Sequence, residues 1–159
     1  MTIPSESFRL VNPSLAVNMY VTDWPVDDDS ILVPTAANAL LLGEWLTITR
    51  TSGQARREDA HPGGGHLSHP FFSPRGAYDV QTRKIVPLIQ HGTFVADTWV
   101  FDRTNVTTLG QELTAKLVAF EGANRSILTS MTAGTHLRRA IVLRLPGSAT
   151  EPLRIFGNY

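Results

Sequence analysis

The chain has 159 residues, 42% of them hydrophobic, and its 14 basic and 14 acidic side chains cancel to a formal net charge of zero. That is the size of one domain with a substantial core, and its neutrality speaks against sequence-independent nucleic-acid binding, which runs on excess Lys and Arg. The absence of Cys excludes disulfides, thiolate chemistry and Cys-ligated zinc, and no apolar run approaches the ~20 residues of a membrane span.

Residues 1–14 carry Ser, Pro and isolated apolar side chains without a period. They predict an extended N-terminal arm, with Phe8 and Leu10 as anchors on a partner and Arg9 between them. The opening residues have neither a basic n-region nor an apolar h-region, so no secretory signal is expected. Leu15, Val17, Met19 and Val21 alternate with Ala16, Asn18 and Tyr20, the period of a strand. Asp23 to Ser30 holds Pro25 and three consecutive aspartates and predicts a loop. The aspartates lack the alternation, Gly and distant Glu of a calcium loop, so a solvated acidic turn is expected. Thr35 is placed to cap a helical turn through Ala36, Ala37 and Asn38. Glu44 to Thr49 predicts a strand whose apolar row contains Glu44. An unpaired buried carboxylate is costly, so Glu44 is expected at the rim, the alternative being a buried position with an Arg partner.

Residues 50–69 predict a long flexible loop. Its first half is polar and its second half is His61-Pro62-Gly63-Gly64-Gly65-His66-Leu67-Ser68-His69. Three histidines in nine residues raise a metal site, since imidazole is the commonest nitrogen ligand. The spacing matches no zinc motif, however, and a glycine run cannot hold ligands rigidly. The expectation is an exposed loop with no metal, and the chain implies no cofactor. The glycine triplet is not a phosphate loop, because no Lys-Ser/Thr pair follows it.

The stretch from Pro70 to Phe101 organises the rest. Phe71, Phe72, Arg75 and Tyr78 place rings beside a basic residue, and core or interface packing is their expected use. Lys84 to Gln90 and Phe94 to Phe101 predict two strands, with His91-Gly92 as a hairpin turn between them. Pro87 marks the first as an edge or a bulged strand. In the second, only Thr93 and Asp97 suit water, so that strand is expected to be buried on both faces, as in a barrel or sandwich. Glu112–Phe120, Arg125–Met131, Arg138–Leu145 and Pro152–Phe156 predict four further strands, with a turn at 121–124. The predicted fold is all-β: a small barrel or sandwich, residues 15–159, preceded by the arm. No G-x-S-x-G or H-E-x-x-H occurs, and sequence brings no carboxylates together, so no enzyme is expected.

Several segments, in this order, resemble the head decoration (capsid cement) proteins of tailed bacteriophages. They are Leu42-Gly43-Glu44-Trp45-Leu46, Phe71-Phe72 with Pro74 to Gln81, Lys84 to Leu88, Gly92 to Asp102, and Leu109-Gly110-Gln111-Glu112-Leu113-Thr114. The similarity spans roughly residues 40–145. The resemblance implies a β-barrel or β-tulip-like protein, made in the host cytoplasm, that binds the outside of an expanded phage head. It implies self-association, as homotrimers that reinforce joints between capsomers, with the major capsid protein as partner and neither nucleic acid nor membrane. Phe8, Arg9, Leu10, Phe71, Phe72, Arg75 and Tyr78 are then the candidate capsid-binding residues. A tail or spike component is the alternative within the same class. A metal-binding or enzymatic β domain built on His61, His66 and His69 is the alternative outside it.

Overall fold

The computed structural model describes residues 7–11, 17–26, 28–32, 35, 37–49, 51–58, 67–72, 83–133, 135 and 138–158. Among these the protein is all-β, with a helical turn at 29–32. The strands are β1 (Phe8–Leu10), β2 (Val17–Pro25), β3 (Trp45–Ile48), β4 (Ala55–Arg56), β5 (Leu67–Pro70), β6 (Ile85–Thr98), β7 (Glu112–Phe120), β8 (Ala123–Ser130), β9 (Ala140–Arg144) and β10 (Leu153–Asn158). The helical turn α1 (Asp29–Leu32) follows β2, where the amides of Ile31 and Leu32 donate to the Asp28 carbonyl at 2.9 Å.

One strand belongs to everything. β6 runs 14 residues and pairs antiparallel with β2 along its first half. Along its second half it pairs with both β1 and β10. The large sheet continues through β9 and β7 to β8. There a parallel bridge between Phe101 and Leu128 joins the chain beyond β6 to β8, so the sheet curls back on itself. The smaller sheet, in the order β4-β3-β5, closes on the other half of β6. Phe71, just after β5, bridges Leu88 of β6, and Val26, just after β2, bridges Ala55 of β4.

Each curl has its own core. Phe8, Trp45, Ile89, Phe94, Ala96, Phe101, Leu113, Leu128 and Ile155 fill the larger. Val26, Ile31, Leu46, Ile48, Phe71, Val86 and Leu88 fill the smaller. Strand β6 serves both: Val86 and Leu88 turn to the small core, Ile89, Phe94 and Ala96 to the large one. β3 does the same with Leu46 and Trp45. Leu88 and Ile89 are adjacent and both fully buried, which marks the crossover on β6.

That crossover overturns the predicted hairpin. His91-Gly92 does not turn; the chain passes straight through it as one strand. Gly92 has φ +115°, and register shifts on either side of Tyr20 absorb the irregularity, so Gly serves a distortion within a strand. Pro87 lies inside β6, pairing in register with Asp23, and its carbonyl accepts from the Phe72 amide. By contrast the 121–122 turn is real: Glu121 and Gly122, at φ +48° and +81°, form the two-residue connection that twisted antiparallel strands favour.

Other boundaries move. β2 runs on through Asp23-Trp24-Pro25, expected as loop, and a helical turn lies at 29–32, while at 35–38 the Asn38 amide donates to the Thr35 carbonyl at 3.2 Å. Thr35 also donates its amide to the Asn38 side chain at 2.6 Å. Residues 51–58, expected to be flexible, form an ordered return to β3 through β4, with Ala55 fully buried. Residues 59–66, including His61 and His66, lie outside the described residues. The arm boundary also shifts: residues 8–10 form a strand of the large sheet, and the Val11 amide continues the pairing to the Val95 carbonyl at 2.9 Å.

Candidate docking face

The first concentration of charge is internal. Glu44, expected at the rim, is fully buried. The Nε of Arg57 donates to its Oε2 at 2.8 Å, and Nη1 of Arg125 donates to its Oε1 at 2.6 Å. The Leu41 amide donates to the same Oε1 at 2.8 Å. Both arginines also hold backbone: Arg57 reaches the Asn38 carbonyl, and Arg125 the carbonyls of Ala37 and Ala39. Asp28, expected in a solvated turn, accepts from the Arg57 amide at 2.8 Å. The cluster ties the 37–44 segment to β4 and β8. Its carboxylate is sealed from solvent and gripped by both guanidiniums, which makes it a structural group.

His69, expected on an exposed loop, is buried on β5. Its Nδ1 lies 3.0 Å from the Ile89 carbonyl, so in the neutral ring Nδ1 carries the proton and donates. Burial pushes its pKa down to about 4, helped by the charges of Arg139 and His91 and opposed by the carbonyls of Ile89 and Gln90. Among the described residues, no group of three or more His, Asp or Glu side chains is arranged to hold a metal.

The second concentration of charge lies on the outer face of the large sheet. Strand register places Arg9 of β1, Asp97 of β6, Arg154 of β10 and Arg144 of β9 in one row. Asp97, expected in water, is sealed by its neighbours: its side chain is 1% exposed, against 58% for Arg9 and 30% for Arg154. Arg154 grips it through Nε at 2.9 Å and Nη2 at 3.1 Å. Arg9 makes one longer bond of 3.3 Å, and its guanidinium lies 5.8 Å from the Trp99 ring centre. Burial alone would raise the Asp97 pKa, but the hydrogen bonds and charges of Arg154 and Arg9 overcome it and hold the carboxyl below its ordinary value. The next row is apolar: Val95, Phe156 and Ile141 are half-buried. A register shift between Arg154 and Ile155 leaves Leu143 as an extra residue on β9, 47% exposed. At the rim Glu112 pairs with Arg138 at 3.3 Å. Three arginines thus pair with two carboxylates beside an apolar strip, with Arg144 in the same row, and Arg is a residue type that interfaces favour.

The sequence candidates divide across this arrangement. Phe8 and Phe71 are core residues, 3% and 0% exposed, which corrects their assignment as partner contacts. Phe8 packs edge-on against Phe72 and Phe94. Leu10 faces inward and packs half-buried on the same core, as does Phe72. Arg9 alone of these points outward. Arg75 and Tyr78 lie outside the described residues. Arg144, Arg154, Phe156 and Leu143 were missed. Their strands were legible, but which rows share a face depends on pairings across the sheet. No family model, no curated protein and no solved structure matches the chain.

Proposed function

We propose that this protein is a structural component of a tailed-phage virion. It docks on the outside of the expanded head, on the major capsid protein, and cements neighbouring capsomers as a homotrimer. The observation that carries the reading is the outer sheet face, where Arg9, Arg154 and Arg144 border the strip of Val95, Phe156 and Ile141. Its exposed guanidiniums beside apolar side chains suit an acidic protein surface. The sequence resemblance to head decoration proteins supplies the identity of that surface. A protein that binds only the assembled, expanded shell stabilises it by mass action, and many modest contacts on one lattice add through multivalency.

The test is to add the purified chain to expanded heads lacking it and measure its copy number against the major capsid protein by quantitative mass spectrometry. A ratio near one per capsid subunit is expected. A few copies per particle would instead favour the tail or spike reading, and no retention would overturn both. The charge-reversed double variant, Arg9→Glu with Arg144→Glu, is expected to keep the fold and lose shell binding. Unchanged binding would remove this face from the proposal.

A further inference from the structure

Among the described arginines, Arg9, Arg57, Arg125, Arg138 and Arg154 each carry an ion pair. Arg103 makes none. Its guanidinium sits 4.5 Å from the Phe101 ring centre, and Nη2 donates to the Glu151 carbonyl at 3.3 Å. Its Nε is buried and meets no acceptor. Burial, uncompensated by a carboxylate, pushes its pKa down.

Neither Asp102, its neighbour in the chain, nor Glu151, whose carbonyl it meets, pairs its carboxylate with Arg103. The Asp102 carboxylate accepts from the Asn105 side chain at 2.6 Å, from Thr129 Oγ1 at 2.8 Å and from the amides of Thr104 and Asn105. Glu151 accepts from the Gly147 amide at 3.0 Å. Arg103 lines a hollow of about 350 Å³ together with Phe101, Val106, Thr107, Leu145 and Ser148. The hollow therefore combines a half-buried cation, fixed by a ring and a carbonyl, with apolar walls and hydroxyl-bearing side chains. A desolvated guanidinium with donors to spare favours a carboxylate, and apolar walls favour a ligand that carries a small hydrophobic group beside it.

We propose that this hollow recognises a carboxylate flanked by a small apolar group, presented by a partner polypeptide as a free chain end or as an acidic side chain. The site stands independently of the docking reading, because it can be probed on the free chain without any shell. The experiment is a titration of the full chain followed at the Arg103 Nε–Hε resonance, assigned by its disappearance in Arg103→Lys. The probes are N-acetyl-leucine, N-acetyl-leucinamide and N-acetyl-glutamate methylamide. N-acetyl-leucine is expected to shift that resonance with affinity in the roughly millimolar range, and the leucinamide to leave it unmoved. A matching shift with the glutamate probe alone would assign the site to acidic side chains instead of chain ends. Arg103→Gln, confirmed as folded from its backbone spectrum, should weaken binding by about tenfold or more. If neither acid moves the resonance, or the leucinamide moves it as much as the acid does, the proposal fails. Because the resonance is followed on the unaltered chain, failure of Arg103→Gln to fold leaves the test decisive.

Discussion

Two carboxylates in this protein are each held between two arginines, and they do opposite things. Glu44 sits with Arg57 and Arg125, whose side chains are 2% and 3% exposed. Asp97 sits with Arg9 and Arg154 on the outer face, under guanidiniums that solvent reaches. In the first cluster every group is sealed, and both arginines also donate to backbone carbonyls of the 37–39 segment. In the second, the acid is hidden while the bases keep donors facing outward. Similar chemistry therefore gives a lock in one place and a surface in the other, and the difference is solvent access to the arginines.

The largest effect should come from breaking the lock. Glu44→Ala leaves two buried guanidiniums without their carboxylate and is expected to cost about 3–5 kcal/mol, read from urea unfolding. A loss under about 1 kcal/mol would mean that water reaches the cluster.

Acid probes the same closed half of the molecule through His69. Its folded pKa, about 4, lies below the ordinary 6.5. The unfolded chain therefore binds a proton that the native state refuses. Stability from this group is fully present above pH 6.5, falls as the pH drops, and is lost by about pH 4, on the order of 3 kcal/mol in all. His69→Asn keeps a donor near the Ile89 carbonyl and should flatten the unfolding free energy across that window. An unchanged slope would reject the assignment. Asp97, held below its ordinary 3.8, adds its own loss only at lower pH.

On the open face, Asp97→Asn removes the charge and one of the two acceptor oxygens but leaves arginines that water can solvate. The expected cost is about 1–2 kcal/mol. A loss as large as that of Glu44→Ala would erase the distinction between the clusters. The smallest effect belongs to Arg9→Ala, below about 1 kcal/mol and diminished further by high salt, which screens exposed pairs more than buried ones. If Arg9→Ala unfolded the protein, β1 would depend on that ion pair rather than on Phe8 in the core.

Much of the fold was legible locally. Strands β3, β7, β8, β9 and β10 lie within about two residues of their predicted spans, because period-2 patterning is written into neighbouring side chains. The Glu121-Gly122 turn was legible for the same reason, although β8 already begins at Ala123. Glu44 was not: its partner Arg125 lies 81 positions away, and nothing near Glu44 announces it. The 51–58 segment looked polar and loose because Arg57, which makes it cohere, reads as a surface residue until a buried acid meets it. Phe8 and Phe71 drew attention as exposed anchors because an aromatic ring in an irregular stretch looks the same in sequence whether it faces a partner or its own core.

The sequence by itself determined that this is a neutral, Cys-free, all-β domain of short strands, since composition and alternation are properties of the chain alone. Only the tertiary structure decided that β6 runs unbroken between two cores, that Glu44 is a lock, and that Arg9, Asp97, Arg154 and Arg144 form one row. The reason is physical: a side chain's partners across a sheet are set by register between distant strands, and burial, which decides whether a charge is a lock or a contact, exists only once those strands have met.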